Sequence, residues 1–193
     1  RDAPARHHTL HDAIAWSYDL LEPEHQRVFR QLAVFVGGWT LEGAAAISEL
    51  PLPDTLVCLE ALADQSLIVR QSDVDADTPR FMMLETIREF ALARLGESDE
   101  DDAMRDRHAA FFRAVVVALD LYYAFPGDAS WLTRIAPEEA NFRQALEWSY
   151  ARGDAHSLSE LSSALTPFWV TRSQSAEGLR WLEAAIAGDE ELP

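Results

Sequence analysis

The stretch SLIVRQSDVDADTPRFMML, residues 66–84, is the part of the sequence that decides the fold. Two short apolar runs, 66–71 and 80–84, flank a polar and acidic segment at 72–79. This pattern is typical of a β-hairpin with a long tip. On both sides of it the apolar residues recur every three or four positions, which predicts helices. The hairpin is therefore expected to be a single β element within a helical sequence.

Four helices are predicted before the hairpin and one after it. Their starts are marked by residues that favour a helix N-terminus, which are Thr9, Pro23, Thr40 and Asp54. Gly37-Gly38 separates the second helix from the third, and Gly96 is the predicted end of the helix that follows the hairpin. Helices followed by a two-stranded hairpin and a further helix are typical of a winged helix, a variant of the helix-turn-helix. We therefore predict a winged-helix domain at residues 1–96.

A run of charged residues, ESDEDD at 97–102, is predicted to be an acidic linker. Residues 103–193 have helical periodicity almost throughout. Within them Ala145-Leu146-Glu147 and Gly153-Asp154 recur as Trp181-Leu182-Glu183 and Gly188-Asp189, 35 or 36 residues later. This offset is close to the period of tetratricopeptide repeats, about 34 residues. The predicted fold class is therefore mostly α: a winged helix (helices plus a two-stranded β-hairpin), followed by a truncated α-helical, tetratricopeptide-like segment.

The charge balance argues against several functions. The 193 residues include 33 acids and 16 bases, all of them arginine, so the net charge is −17. Proteins that bind nucleic acid or an anionic membrane need a positively charged surface. The candidate DNA-reading helix, residues 54–65, contains Asp54, Glu60 and Asp64 but no arginine. Direct DNA binding is therefore not expected, and a DNA-binding winged-helix transcription factor is the alternative hypothesis.

No catalytic or metal site is predicted. A chain without lysine cannot contain a standard GxxxxGK[ST] phosphate loop, and GxGxxG, HExxH and GxSxG are also absent. His7 and His11 have the spacing of a helical metal pair, but with Thr9 as the helix cap His7 would lie outside the helix. No apolar run is long enough to span a membrane. The single cysteine, Cys58, excludes an intramolecular disulfide and favours the cytoplasm.

A series of short motifs resembles one group of regulatory proteins. The motifs are PARH at 4–7, WSYDLL at 16–21, LAVF at 32–35, GGWTLE at 37–42 and LETIREFA at 84–91. Together they resemble the region after the nucleotide-binding module of bacterial STAND-type regulatory ATPases. These are relatives of the NB-ARC ATPases and often carry LuxR-type, AfsR-type or adenylate-cyclase output domains. The helical residues 103–193 resemble the tetratricopeptide-like sensor array of such proteins, and the chain is interpreted as a fragment of one of them.

The resemblance implies a function for each part. The winged helix would pack on the protein's own upstream nucleotide-binding module, where ATP or ADP is expected, and hold the ADP-bound resting state. The helical array would bind a protein or small-molecule inducer, and no cofactor is expected in this fragment. In NB-ARC relatives the histidine of a Met-His-Asp motif contacts the nucleotide β-phosphate. The matching residues here are Met83, Leu84 and Glu85, and a leucine cannot donate a hydrogen bond to phosphate.

The sequence is accordingly interpreted as a non-catalytic regulatory part of a STAND-type signalling ATPase and transcriptional regulator. It would couple the nucleotide state to a helical-repeat sensor. One further candidate site comes from the aromatic residues of the second half, which are dense there. Trp148 and Trp181 are candidates for an exposed partner surface, whereas Phe142, Phe168 and Trp169 are predicted to be inter-helix core.

Overall fold

The computed structural model describes residues 3–71, 79–119 and 130–189. The helices in these ranges are α1 (Ala3–Asp19), α2 (Pro23–Gln31), α3 (Leu41–Ser48), α4 (Leu52–Asp64), α5 (Glu85–Gly96), α6 (Asp101–Ala118), α7 (Ser130–Ile135), α8 (Glu139–Ala151), α9 (Ala155–Thr171) and α10 (Ser175–Asp189). The strands are β1 (Trp39–Thr40), β2 (Val69–Gln71) and β3 (Arg80–Met82). The predicted fold class, mostly α with a winged helix and a helical segment, is confirmed. The chain divides into two compact units, Arg1–Met104 (unit 1) and Arg105–Pro193 (unit 2).

Unit 1 contains the predicted hairpin and one strand more. The three strands form an antiparallel sheet in the order β1-β3-β2, in which Arg70 lies opposite Phe81 and Thr40 lies opposite Arg80. With the helices, the order α2-β1-α3-α4-β2-β3 is that of a winged helix. The sequence analysis missed β1, because two residues are too few to show the alternation of a strand.

A glycine lets β1 approach β3. Gly38 has φ +101°, a backbone conformation that residues other than glycine rarely adopt. A Cβ atom at this position would also lie 2.6 Å from the carbonyl oxygen of Phe81. The Gly37-Gly38 pair therefore lies between α2 and α3, as predicted, and makes room for the third strand, although α2 itself ends earlier, at Gln31.

The core of unit 1 is formed mainly by α2, α4 and α5. Tyr18, Phe29 and Phe90 have ring centroids 5.4 to 6.3 Å apart, which ties α1, α2 and α5 together. The remaining core residues are fully buried aliphatic and aromatic side chains, among them Val28, Leu32, Phe35, Ile47, Leu59, Leu62 and Leu95. Arg88 of α5 donates from Nε to the carbonyl oxygen of Phe35 at 2.7 Å. This hydrogen bond satisfies a backbone carbonyl group just after α2.

Two of the four predicted helix starts are confirmed and two are wrong. Pro23 is the first residue of α2, and the Thr40 hydroxyl accepts a hydrogen bond from the Gly43 amide at 3.2 Å, as an N-cap does. Helix α1, however, begins at Ala3 rather than at Thr9, because Pro4 is tolerated in a first turn and good helix formers follow it. Helix α4 begins at Leu52, so that Asp54 lies in its first turn and not at the cap.

The predicted acidic linker, residues 97–102, consists of turns up to Glu100 and then the first two residues of α6. Glu100 accepts a hydrogen bond from Nε of Arg30 at 2.9 Å, so this end of the run is attached to α2 within unit 1. The division between the two units falls four residues into α6, between Met104 and Arg105.

In unit 2 the helices α8, α9 and α10 pack on one another. Helix α10 lies so close to α9 that a Cβ atom at Gly178 would be 2.5 Å from Cε3 of Trp169. Arg143 of α8 makes a two-pronged ion pair with Glu177 of α10, at 2.7 and 2.9 Å. Phe142, Phe168 and Trp169 are buried, as predicted.

A buried polar chain joins α6 to α8. Nε2 of His108 lies 3.3 Å from Oδ1 of Asn141, and Nδ2 of Asn141 donates to Oε2 of Glu138 at 2.8 Å. All three side chains are less than a tenth exposed. Buried polar groups need such partners, so the chain fixes the register of α6 on α8.

Candidate functional site

Helix α4 occupies the position that reads DNA in a DNA-binding winged helix. Its inner face buries Cys58, Leu59 and Leu62, and it packs on α2 and α3. The hydroxyl of Thr55, which is also buried, donates to the carbonyl oxygen of Pro51 at 3.0 Å. The inner face therefore holds α4 in place, and only the opposite face is available to a partner.

The outward side of α4, which we call the α4 outer face, is apolar and acidic. Leu52, Leu56 and Val57 are 39 to 57% exposed. The acids Asp54, Glu60 and Asp64 are exposed on the same helix, and α4 has no basic residue. In a helix-turn-helix protein this face would carry arginine and amide side chains into the major groove. The α4 outer face instead combines exposed apolar side chains with exposed acids.

The wing offers little positive charge in its described part. Arg70 lies on the edge strand β2 and is exposed, while Arg80 on β3 is buried. The tip of the hairpin, residues 72–78, lies outside the described residues.

The three residues that match the Met-His-Asp motif lie at the junction of β3 and α5. The Met83 side chain is buried, and the carbonyl oxygen of Leu84 accepts from the amides of Ile87 and Arg88 at 2.9 Å. The Leu84 side chain is 52% exposed. Glu85 is the first residue of α5 and lies 3.3 Å from Nη1 of Arg88. Glu85 is thus at a helix N-terminus, where the helix dipole favours an acid.

Unit 2 contains a groove of about 420 Å³ between α6, the end of α8 and the start of α9. We call it the α6–α8–α9 groove. Its lining residues are Asp106, Ala109, Ala110, Arg113, Trp148, Ser149, Arg152, Asp154 and Ser157. The groove therefore combines one aromatic ring, two acids, two bases and two hydroxyl groups within a single concavity.

One end of the groove is organised around Trp148. Its indole Nε1 donates to Oδ1 of Asp106 at 2.8 Å. The guanidinium groups of Arg105 and Arg152 lie 5.5 and 5.6 Å from the ring centroid, within the range of a cation–π contact. Oδ2 of Asp106 has a looser ion pair with Arg152, at 3.8 Å. The Trp148 side chain is half-buried.

The other end is organised around Arg113. Its Nη1 donates to the Ser157 hydroxyl at 3.3 Å and to Oε2 of Glu160 at 3.0 Å. Asp154 caps α9 by accepting from the Ser157 amide at 3.0 Å. Partial burial disfavours the charged carboxylate, but the hydrogen bonds from Ser157 and the charge of Arg113 outweigh it and lower the pKa of Asp154. Asp154 is therefore a carboxylate at neutral pH.

Ser149 lines the groove between these two ends. Its side chain is 3% exposed, and its hydroxyl group makes no hydrogen bond to the described residues.

Of the two tryptophans predicted to form a partner surface, the structure brings only Trp148 to an accessible position. Trp181 is 6% exposed, with Arg180 over its ring at 4.8 Å and Tyr150 beside it. It lies on the side of α10 that also buries Ala185. The sequence analysis also missed Arg113, Ser149 and Asp154 as site residues. The one signal for any of them was the Gly153-Asp154 pair, which is a helix-start pattern.

Of the candidate metal pair, the structure describes only the side chain of His11. The ring of His11 packs edge-on against Phe90, with centroids 5.2 Å apart, and the side chain of His7 lies outside the described part. In that part no three metal-ligating side chains cluster together. Among the described helices, none is both long and apolar enough to cross a membrane.

Comparison with known proteins finds relatives among mycobacterial proteins. The chain is 35% identical over 192 residues to a protein of Mycobacterium tuberculosis named "putative HTH-type transcriptional regulator", and its Mycobacterium bovis counterpart matches equally. This alignment covers 96% of the chain and 21% of the relative. An uncharacterized protein of M. tuberculosis is 31% identical over 104 residues, which are 52% of the chain and 26% of that relative.

The chain thus spans about a fifth of the length of the transcriptional regulators that it matches. No protein-family model matches the chain. No solved structure matches it either.

Proposed function

We propose that this chain is a regulatory, partner-binding part of a transcriptional regulator, and that its winged helix does not read DNA. The similarity to proteins named as transcriptional regulators supports the first half of this proposal. The claim that the winged helix does not read DNA rests on the α4 outer face. Three acids and no base on the reading helix would repel the phosphates that supply most of the affinity of DNA-binding proteins.

The test is a titration of a fluorescently labelled DNA duplex with the 193-residue chain, followed by anisotropy. We expect no binding at about 50 mM salt, where electrostatic binding is strong, and none at about 200 mM. The triple variant Asp54→Arg, Glu60→Arg, Asp64→Arg places three bases on the α4 outer face. It should bind the duplex more tightly than the wild-type chain, and salt should weaken that binding. Tight, salt-dependent binding by the wild-type chain would contradict the proposal.

A DNA-binding winged-helix transcription factor is the second candidate. The strand and helix order of unit 1 and the helix-turn-helix in the relatives' names favour it. In that case DNA would have to contact elements other than α4, and the exposed Arg70 of the edge strand β2 is the described base best placed for it. Binding by the wild-type chain that is lost in Arg70→Gln would identify this mode.

The finer part of the proposal is a nucleotide-dependent switch of the STAND type. It is supported by the motif series at 4–91 and by the position of Met83, Leu84 and Glu85 where a strand enters a helix. The exposed leucine at this junction would pack on an upstream nucleotide-binding module. Residues 1–96 would then form the coupling domain, residues 97–102 its linker and residues 103–193 the sensor, all in the cytoplasm.

Nucleotide content tests this finer part in the longer protein. The purified protein should release ADP on denaturation, and Leu84→His should slow ADP release because it restores a side chain that can donate to phosphate. A longer protein that holds no nucleotide and has no phosphate loop before residue 1 would contradict the switch. The DNA measurement above is independent of this result.

A further inference from the structure

We propose that the α4 outer face binds a basic amphipathic helix of a partner protein, a helix that carries apolar side chains and lysine or arginine on the same side. This inference rests on the proposed function, since a face that contacts DNA is not free for a protein. It names the class of partner that unit 1, to which α4 belongs, would recognise.

The apolar part of the α4 outer face lies in the first half of the helix. Leu52, Leu56 and Val57 are 46, 39 and 57% exposed. Leu52 and Leu56 are four residues apart, so their side chains are neighbours on the helix surface. Single exposed apolar residues are ordinary, but three of them close together on one helix form a strip that another surface can cover.

The acids of the α4 outer face lie among these apolar residues. Successive residues of an α-helix are rotated by about 100°, so Glu60 projects between Leu56 and Val57. Asp64 lies one turn further along the same side, and Asp54 flanks Val57 on its other side. Glu60 and Asp64 are both exposed, and like charges at this spacing destabilise a helix. A positively charged partner would relieve this repulsion.

The acids of the α4 outer face are not neutralised by arginines of α2 or α5. None of the three acids has an ion pair within the described residues. The four arginines of α2 and α5 have other acidic partners, in the pairs Arg27–Glu24, Arg30–Glu100, Arg88–Glu85 and Arg94–Glu97. A basic partner would therefore find three carboxylates with which no described arginine is paired.

Charge and shape together favour a helix over other occupants of this face. The acids would repel nucleic acid, and a second copy of the chain, with its net charge of −17, would bring the same acids to the contact. A small cation would leave the apolar strip uncovered. A partner helix presents side chains at the spacing of α4 itself, so it can place apolar side chains on the leucines and basic ones beside the acids.

The experiment uses a synthetic helix as the probe. Helix α4 has 13 residues and is about 20 Å long, so a labelled peptide of about 20 residues covers it. The peptide carries leucine at helical spacing with lysine on both sides of the leucine stripe. Fluorescence anisotropy follows its binding to the 193-residue chain at about 150 mM salt, which screens attraction between distant charges. We expect saturable binding of one peptide per chain.

Two control peptides separate the proposed contact from simple attraction to an acidic protein. A shuffled peptide of identical composition spreads its leucines around the helix, and it should bind at least about tenfold more weakly. A peptide with glutamate in place of lysine should not bind measurably. The proposal is overturned if the patterned peptide does not bind, or if the shuffled peptide binds as tightly.

Two double variants locate the contact on α4. Leu56→Gln with Val57→Gln removes part of the apolar strip, and Glu60→Gln with Asp64→Asn removes two charges. Each double variant should weaken binding of the patterned peptide about tenfold. All four residues are exposed, so the midpoint of thermal unfolding should change little and weaker binding would not reflect unfolding.

Matched control variants make the same changes at exposed positions of α1 and α5. Leu10→Gln with Leu20→Gln removes two exposed leucines, and Asp12→Asn with Glu89→Gln removes two exposed charges. Both should bind the peptide as the wild type does. Unchanged affinity in the two α4 variants, or an equal loss in these controls, would overturn the assignment to α4.

Self-association is the other occupancy that the variants can reveal. Sedimentation of the chain without peptide should give the same oligomeric state for the wild type and for Leu56→Gln with Val57→Gln. A wild-type dimer that dissociates in this variant would assign the face to a second copy and overturn the proposal.

The triple variant Asp54→Arg, Glu60→Arg, Asp64→Arg separates this inference from the proposed function. It should lose the basic peptide while it gains affinity for DNA, because its charges are reversed. Tight DNA binding by the wild-type chain would contradict the proposed function. A wild-type chain that binds neither DNA nor the patterned peptide would contradict this inference alone.

Discussion

The α4 outer face in unit 1 and the α6–α8–α9 groove in unit 2 are both accessible surfaces on helices, but they differ in shape and chemistry. The α4 outer face lies along one helix and combines the exposed Leu52, Leu56 and Val57 with three acids. The groove lies between three helices, has a volume of about 420 Å³ and presents charges of both signs around one indole.

This difference separates two kinds of recognition. An exposed apolar strip without a concavity can be covered only by another macromolecular surface, since a small molecule would bury too little area on it. A concavity with a few convergent polar groups suits a small ligand. Unit 1 therefore has an exposed apolar strip and unit 2 has a concavity with polar groups, and these two surfaces are suited to different classes of partner.

The largest effect that would test this comparison is expected within α4 itself. Leu59→Ala removes a fully buried side chain and should lower the free energy of unfolding by about 3 kcal/mol. Leu56→Ala, on the outer face, is 39% exposed and should cost about 0.5 kcal/mol or less. Urea denaturation of both variants measures the contrast. Equal losses would mean that the outer face is covered in solution.

Replacing a helical glycine with alanine should have different effects on stability in the two units. Gly178→Ala in α10 would force Cβ against the Trp169 ring and should destabilise the chain by about 2 kcal/mol. Gly96→Ala at the end of α5 meets no atom within 4 Å and should be neutral or stabilise by up to about 0.5 kcal/mol. Thermal unfolding reports both, and a stabilising Gly178→Ala would show that α9 and α10 are less closely packed.

The smallest effect is expected from the ion pair between α8 and α10, which has no counterpart in the α4 outer face. The hydrogen bonds from Arg143 lower the pKa of Glu177 below its ordinary value of 4.5. A lowered pKa in the folded state means stability that is present above the unfolded value and lost as the pH falls through the folded value. Glu177→Gln should therefore cost about 1 kcal/mol at pH 7, and less at pH values well below 4.5.

The control for this ion pair is Glu183→Gln on the same helix. Glu183 is exposed, so its substitution should change stability little at either pH. A cost for Glu177→Gln that stays constant between pH 7 and pH 3 would contradict a role for the ionised carboxylate.

Much of the winged helix could be predicted because its signals are local. Pro23 and Thr40 start helices in the structure because each acts on the first turn that follows it, which requires no distant residue. The two hairpin strands are adjacent in the sequence and carry a strand-like pattern on either side of an acidic loop. The same reasoning failed at α1 and at Asp54, where a proline in the first turn allowed the helix to begin earlier than the better capping residue.

The third strand needed information from far along the chain. Trp39 and Thr40 become a strand because they pair with Phe81 and Arg80, some forty positions later, and because Gly38 tolerates the close approach of β3. The polar chain of His108, Asn141 and Glu138 is similar, since nothing local marks these residues as buried partners.

By itself, the amino-acid sequence determined the helical composition of this protein, the hairpin, the acidic character of α4 and the lack of a phosphate loop, because these depend on neighbouring residues or on counting. Only the tertiary structure decided that Trp148 is accessible while Trp181 is buried, since both lie on helices with similar local patterns. Only the tertiary structure brought Asp106 and Arg113 of α6 into one groove with Ser149 and Asp154. Sites of this kind depend on the angles at which helices pack, and those angles are set by the whole buried core rather than by any one segment.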